Sequence, residues 1–211
     1  MRPFIFLLTV SFATFSIGVG IVAYWFLNQP LPRVDLLKNS PECASEPTTE
    51  ISLSKTEIAE RTELLARFKE LPLDKLFANT NESYRLIWFP TFHAPTIIRI
   101  WRSGENYHII TKRLSGEGGY EIGKLKTEYT RSLTAEEWQN FVNLINVRCF
   151  WNAPSVVAEV PVVDGASWTF EGLTDKQYQF VDRITPSEQM TEIFKALFEL
   201  TGVKTEYDDY L

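Results

Sequence analysis

The sequence predicts an α+β fold: an antiparallel sheet with amphipathic helices on one face, preceded by one transmembrane helix. Three observations carry that expectation. Stretches of period-two alternation are joined by short turn-forming runs. Hydroxyl residues followed by an acid open amphipathic helical runs. The segment Phe4 to Leu27 contains no charged residue.

As a helix, Phe4 to Leu27 would extend about 36 Å, against a hydrocarbon core of about 30 Å. It is longer than the apolar region of a cleaved signal sequence, and it ends in Tyr24-Trp25-Phe26, aromatics suited to a membrane interface. The expectation is an anchor over residues 1–27, contacting lipid through 4–27, with a cleaved leader as the alternative. Arg2 and the α-amine favour a cytoplasmic N-terminus, which puts the bulk of the chain outside the cytoplasm. Residues 28–53 carry Pro30, Pro32, Pro41 and Pro47 among polar residues and read as a flexible tether, leaving 54–211 as the folded domain.

Ser54-Lys55-Thr56-Glu57 is a capping box. The helix it opens has Ile58, Leu64, Leu65, Phe68 and Leu71 on one side and meets Pro72. Tyr84 to Phe89 and Thr96 to Arg102 read as strands, and Asn106 to Leu114 follows across the turn Ser103-Gly104-Glu105. Lys126 to Leu133 is a further strand, and Thr134 and Glu137 cap a helix carrying Trp138, Phe141, Val142, Leu144 and Ile145. Ser167 to Leu173 and Gln177 to Ile184 form a hairpin. Thr185-Pro186-Ser187-Glu188 then opens a helix that Gly202 closes. Overlaying Thr134 on Thr185 suggests two β-meander-plus-helix units.

Alternation in the last hairpin sets Trp168 and Phe170 on an aromatic inner face and Glu171 on a polar outer face, solvated. Asp182 shares a face with Tyr178 and Phe180. Asp164-Gly165 fits a tight turn.

Composition excludes several functions. A net charge of -6 without a basic run argues against nucleic acid. Gly118 to Lys124 matches the spacing of a phosphate loop, but Leu125 stands where the magnesium-binding hydroxyl belongs and a strand follows instead of a helix. The glycine run from Gly116 to Gly123 reads instead as a long, adaptable loop able to contact a ligand through Tyr120. With two histidines, His93 and His108, and no Cys/His cluster, no metal or other cofactor is expected. No nucleophile-elbow motif occurs. The tryptophans lie in strands or at helix ends, where core packing is the default. Cys43 and Cys149 either bridge, closing a loop of about 106 residues worth roughly 4 to 5 kcal/mol, or remain a buried and an exposed thiol.

Phe-His-Ala-Pro at 92–95, Gly-Glu-Gly-Gly-Tyr-Glu-Ile-Gly-Lys-Leu at 116–125, Glu137-Trp138, Phe150-Trp151 and Asp-Gly-Ala-Ser-Trp-Thr-Phe-Glu-Gly at 164–172 form a pattern. It resembles a bacterial family of secreted or membrane-anchored proteins with no established activity. The resemblance implies a bacterial envelope location, the inner membrane with the domain facing the periplasm or the exterior, and transfers no catalytic residue. The sequence therefore leads to a binding or interaction module without evident catalytic machinery, whose partner is an envelope protein or a small ligand. Its candidate contact residues are His93, Gly118, Gly119, Tyr120, Asp164 and Trp168. The alternative is an envelope hydrolase using His93 with carboxylates among Asp164, Glu171 and Asp182.

Overall fold

The computed structural model describes residues 43, 54–76, 82–160 and 162–202. The charge-free segment and the tether, Cys43 excepted, lie outside the described residues. Among the described residues, no helix is long and apolar enough to cross a membrane.

The elements follow the expected order. Helix α1 (Lys55–Arg67) and the short α2 (Leu73–Leu76) precede a four-strand meander of β1 (Glu82–Pro90), β2 (Thr96–Ser103), β3 (Asn106–Leu114) and β4 (Leu125–Leu133). Helix α3 (Ala135–Val147) and a 3-10 turn (Phe150–Asn152) lead to the hairpin β5 (Ala166–Thr174) and β6 (Tyr178–Arg183), and α4 (Glu188–Thr201) follows. The strands form one sheet in the order β4-β3-β2-β1-β5-β6. All the strand pairs are antiparallel, and β5 returns to the free side of β1, with Leu86 opposite Phe170 and Trp88 opposite Trp168. The result is a four-strand meander plus helix joined to a two-strand hairpin plus helix, so the two units differ in strand number.

The helix starts show where short-range chemistry governs. Ser54 and Thr134 both close reciprocal capping boxes, with Glu57 and Glu137. In α4 the cap is Ser187, whose hydroxyl accepts from Met190 N, and not Thr185. The overlay of Thr134 on Thr185 is therefore out of step with the real helix starts. Helix α1 also ends before Pro72: Phe68 is its C-cap and Lys69 takes a left-handed φ of 53°.

Helices lie on both faces of the sheet, which corrects the one-faced expectation. Tyr84, Leu86 and Trp88 of β1, Ile98 and Ile100 of β2, and Trp168 and Phe170 of β5 join Trp138, Phe141 and Ile145 of α3 and Ile193, Phe194, Leu197 and Phe198 of α4 in the main core. The intervening positions, Ile87 and Ile97, meet Leu65 and Phe68 of α1 and Leu114 in a smaller second core. A sheet covered twice needs central strands apolar on both faces, and β1 is accordingly buried from Ser83 to Trp88. At Gly172 the aromatic layer reaches the backbone itself. A Cβ there would lie 2.6 Å from Phe150 Cε1 and 3.0 Å from Trp151 Cη2, so only glycine lets the 3-10 turn settle on β5.

Cys43 and Cys149 are bridged, with Cα atoms 5.3 Å apart and a sequence separation of 106. The bond fixes one point of the segment before α1 to the end of α3. Disulfides of this kind persist in oxidising compartments.

Candidate functional site

Three loops meet at one end of the sheet, brought there by the strand order. The β1–β2 loop (91–95), the β3–β4 loop (115–124) and the turn before β5 (163–165) leave neighbouring strand ends. Thr91 ties the first to the third, its N–H and hydroxyl both donating to Gly165 O at 3.0 and 2.8 Å. Gly119 N ties in the second, donating to Pro90 O at 3.2 Å and Thr91 O at 3.1 Å. Gly118 has a φ of 61°, and a Cβ on it would lie 1.7 Å from Pro90 O. The loop is thus pinned backbone to backbone, where its glycine content suggested an adaptable one. Across its base, Ser115 N donates to Lys124 O at 2.9 Å.

On this frame the Phe92 and Tyr120 rings stack with centroids 5.7 Å apart, yet remain 46% and 74% exposed. Val162 and Val163 are exposed beside Asp164, which holds a φ of 67° in its turn. Glu117, Glu121 and Asp164 are exposed on these loops, against Lys124. The end therefore offers a preorganised apolar and aromatic contact with an acidic rim. Five of the six candidate residues lie on these loops: His93, Gly118, Gly119, Tyr120 and Asp164. Trp168 does not. It is fully buried, stacked on Phe194 at 5.3 Å and 6° between planes, and takes no part in the surface.

The catalytic alternative needs His93 to meet a carboxylate. The His93 ring stacks on Trp88, 6.4 Å between centroids, and Trp88 belongs to the core under α3 and α4. Glu171 and Asp182 lie in register with Arg85 and Thr169 on the opposite face, under α1. The sheet separates them from the Trp88 side chain on which His93 rests.

Glu171 itself is the largest departure from expectation. The pairing sets Phe180 opposite it, so Tyr178 and Phe180 share its face and not that of Trp168. It is buried at 3% exposure. Arg85 Nε and Nη2 approach its Oε2 at 2.7 and 2.6 Å, Arg61 Nη2 reaches Oε1 at 2.6 Å, and Tyr178 donates its hydroxyl to Oε1 at 2.8 Å. Arg85, wholly buried, also donates to Leu71 O at 2.6 Å and lies 3.5 Å from Glu70. Glu70 in turn accepts from Arg99 at 3.0 Å and pairs with Lys112 at 2.8 Å. The residues just beyond α1 are thus fastened across β5, β1, β2 and β3 by one ionic chain. Burial alone would raise the Glu70 carboxyl, but Arg99 and Lys112 beside it hold it below the usual range. Burial, and after it the Glu171 charge, pushes the Tyr178 hydroxyl far up. Every ion in the chain is held by a partner of opposite charge, so the chain ties the end of α1 to the sheet.

Two further carboxylates are raised by burial. Asp182 has the Ser167 and Thr169 hydroxyls at 3.4 Å, and desolvation outweighs them and Arg61. Glu82 accepts from the Tyr84 hydroxyl at 2.5 Å, and burial again outweighs that bond and the nearby Arg102. Neither lies on the loop end. The signal for the ionic chain was present in the sequence as lone charges in otherwise apolar strands, Arg85 in Tyr84 to Phe89 and Glu171 in Trp168 to Leu173.

Compared with protein-family models, curated proteins and solved structures, the chain matches none.

Proposed function

We propose that the protein is a membrane-anchored, extracytoplasmic binding module whose loop end receives an envelope protein or a small ligand. The observation that carries this reading is the Phe92–Tyr120 stack, held largely in solvent by loops that spend three backbone hydrogen bonds and a left-handed glycine on keeping it there. Exposed aromatics on a rigid base lose little conformational entropy on contact, which is what makes them effective binding anchors. The acidic rim favours a partner that presents cationic groups around an apolar centre. The disulfide supports the extracytoplasmic side of the proposal, and the charge-free run from Phe4 to Leu27 supports the anchor.

The test is site-specific photocrosslinking of the full chain in membranes. A benzophenone side chain at Tyr120 should capture a partner, and the same group at Thr62, exposed on α1, should not. Phe92→Ala should abolish the adduct while changing stability by no more than about 0.5 kcal/mol, because its ring is a surface one. No adduct at Tyr120, together with no thermal shift on ligand screening, overturns the reading.

A further inference from the structure

The sheet has two edges, and they are finished differently. Beyond β6 runs the segment 153–159, and it covers that edge. Asp182 N donates to Ser155 O at 2.8 Å, Val156 forms a parallel bridge to Asp182, and the Gln179 side chain donates to Ala153 O. Arg183 reaches Ser155 O and Pro154 O, and Glu159 accepts from Ile184 N and Thr185 N. At the other edge β4 pairs with β3 alone among the described residues, and every residue from Lys126 to Thr130 is exposed. Half the backbone donors and acceptors of such a strand point away from its neighbour, and an unpaired row is a template for another strand.

We infer that β4 is a pairing edge and that its occupant is β4 of a second copy of this chain, antiparallel about a two-fold axis at Tyr129. The strand's self-complementarity selects both occupant and register. With the axis at Tyr129 all nine residues of the strand are used, and Leu125 meets Leu133, Lys126 meets Ser132, Thr127 meets Arg131 and Glu128 meets Thr130 of the other copy. No like charges stand opposite. Moving the axis to Glu128 would oppose two glutamates, and moving it to Thr130 would leave Leu125 and Lys126 without a strand residue opposite them. Like charges directly opposite destabilise a strand pair. In the chosen register the two Glu128 carboxylates are diagonal neighbours, and each has Lys112 of its own chain 3.7 Å away. Tyr129, 53% exposed, meets its own copy at the axis as an aromatic cross-strand pair. Because paired residues share a face, the two sheets continue as one, with both α1 helices on the same side.

The experiment uses the full chain, purified in detergent, with the Cys43–Cys149 bridge intact. Tyr129→Cys should yield a reducible covalent dimer, while Lys176→Cys, at the far hairpin, should not. By sedimentation, the unmodified chain should dimerise and Tyr129→Lys should weaken that dimer at least about tenfold, since it sets two ammonium groups face to face. A monomeric wild-type chain overturns the inference, as does a dimer indifferent to Tyr129→Lys. Crosslinking that appears only after removal of residues 203–211 also overturns it, because the edge would then be occupied by the chain itself.

Discussion

On one face of the sheet Trp168 lies against Phe194 and Trp88 against Phe198, rings at 5.3 and 5.6 Å with no charge among the core side chains. On the other face, at the same depth, Arg85 and Glu171 are joined by two contacts under 3 Å and are as fully excluded from water. The aromatic face gains from every contact it makes, because burial of apolar area is favourable wherever the shapes fit. The ionic face begins with a large desolvation cost, which only well-aligned partners offset. One face is tolerant and additive, and the other depends on each of its members being present.

The sharpest way to break that contrast is Arg85→Ala. It leaves Glu171 and Glu70 buried with fewer partners and should cost about 3–5 kcal/mol, read as a lowered urea midpoint. Replacing both members, Arg85→Met with Glu171→Leu, should recover part of that loss: Glu70 keeps Arg99 and Lys112, while Arg61 and the Tyr178 hydroxyl lose the carboxylate they shared. If the double replacement is as unstable as Arg85→Ala, the chain is supplying net stability and the contrast fails. The same operation on the aromatic face is milder. Ile193→Val, at a fully buried site, should cost about 0.5–1.5 kcal/mol, and nothing should rescue it because no partner is left unpaired.

The two faces also differ in how far the sequence disclosed them. The strands and the capping boxes of α1 and α3 were legible, since alternation, caps and turn residues act over a few positions, whereas the gathering of the loops at one end depends on the strand order. The side of the sheet on which α1 packs was not. Arg85 and Glu171 stand out as lone charges in otherwise apolar strands, but only the pairing of β1 with β5, distant in sequence, shows that they neutralise one another. For the same reason the face of Tyr178 and Phe180 was misjudged: the register of a hairpin decides which side chains share a side, and an odd shift exchanges the faces. At the loop end, sequence located five residues but read the glycines as freedom. The close approach of Gly118 to Pro90, a contact between separate loops, is what makes them a constraint.

The smallest effect is one of acid and base, and it shows that partner type, not face, sets the sign. Glu70 is ringed by cations and its carboxyl is lowered. Its contribution is present above the unfolded value of about 4.3 and is lost as pH falls through the folded value. Glu137, held to about 2 first by the Arg131 hydrogen bond and then by the Thr134 backbone, acts in the same direction. Glu82 and Asp182 are raised by burial against hydroxyl partners, so theirs is present below the unfolded value and is lost as pH rises through the folded one. Stability should therefore rise as pH is brought from 7 toward about 4.5 and fall below it, as the first pair becomes protonated. Glu82→Gln keeps a group able to accept from the Tyr84 hydroxyl but does not ionise. Thermal unfolding of this variant should show a smaller gain between pH 7 and 5 than the parent and the same loss below pH 4. An unchanged gain would assign the acid-side stability to Asp182 alone, at the edge of the ionic face, where hydroxyls have taken the place of the arginines that hold Glu171.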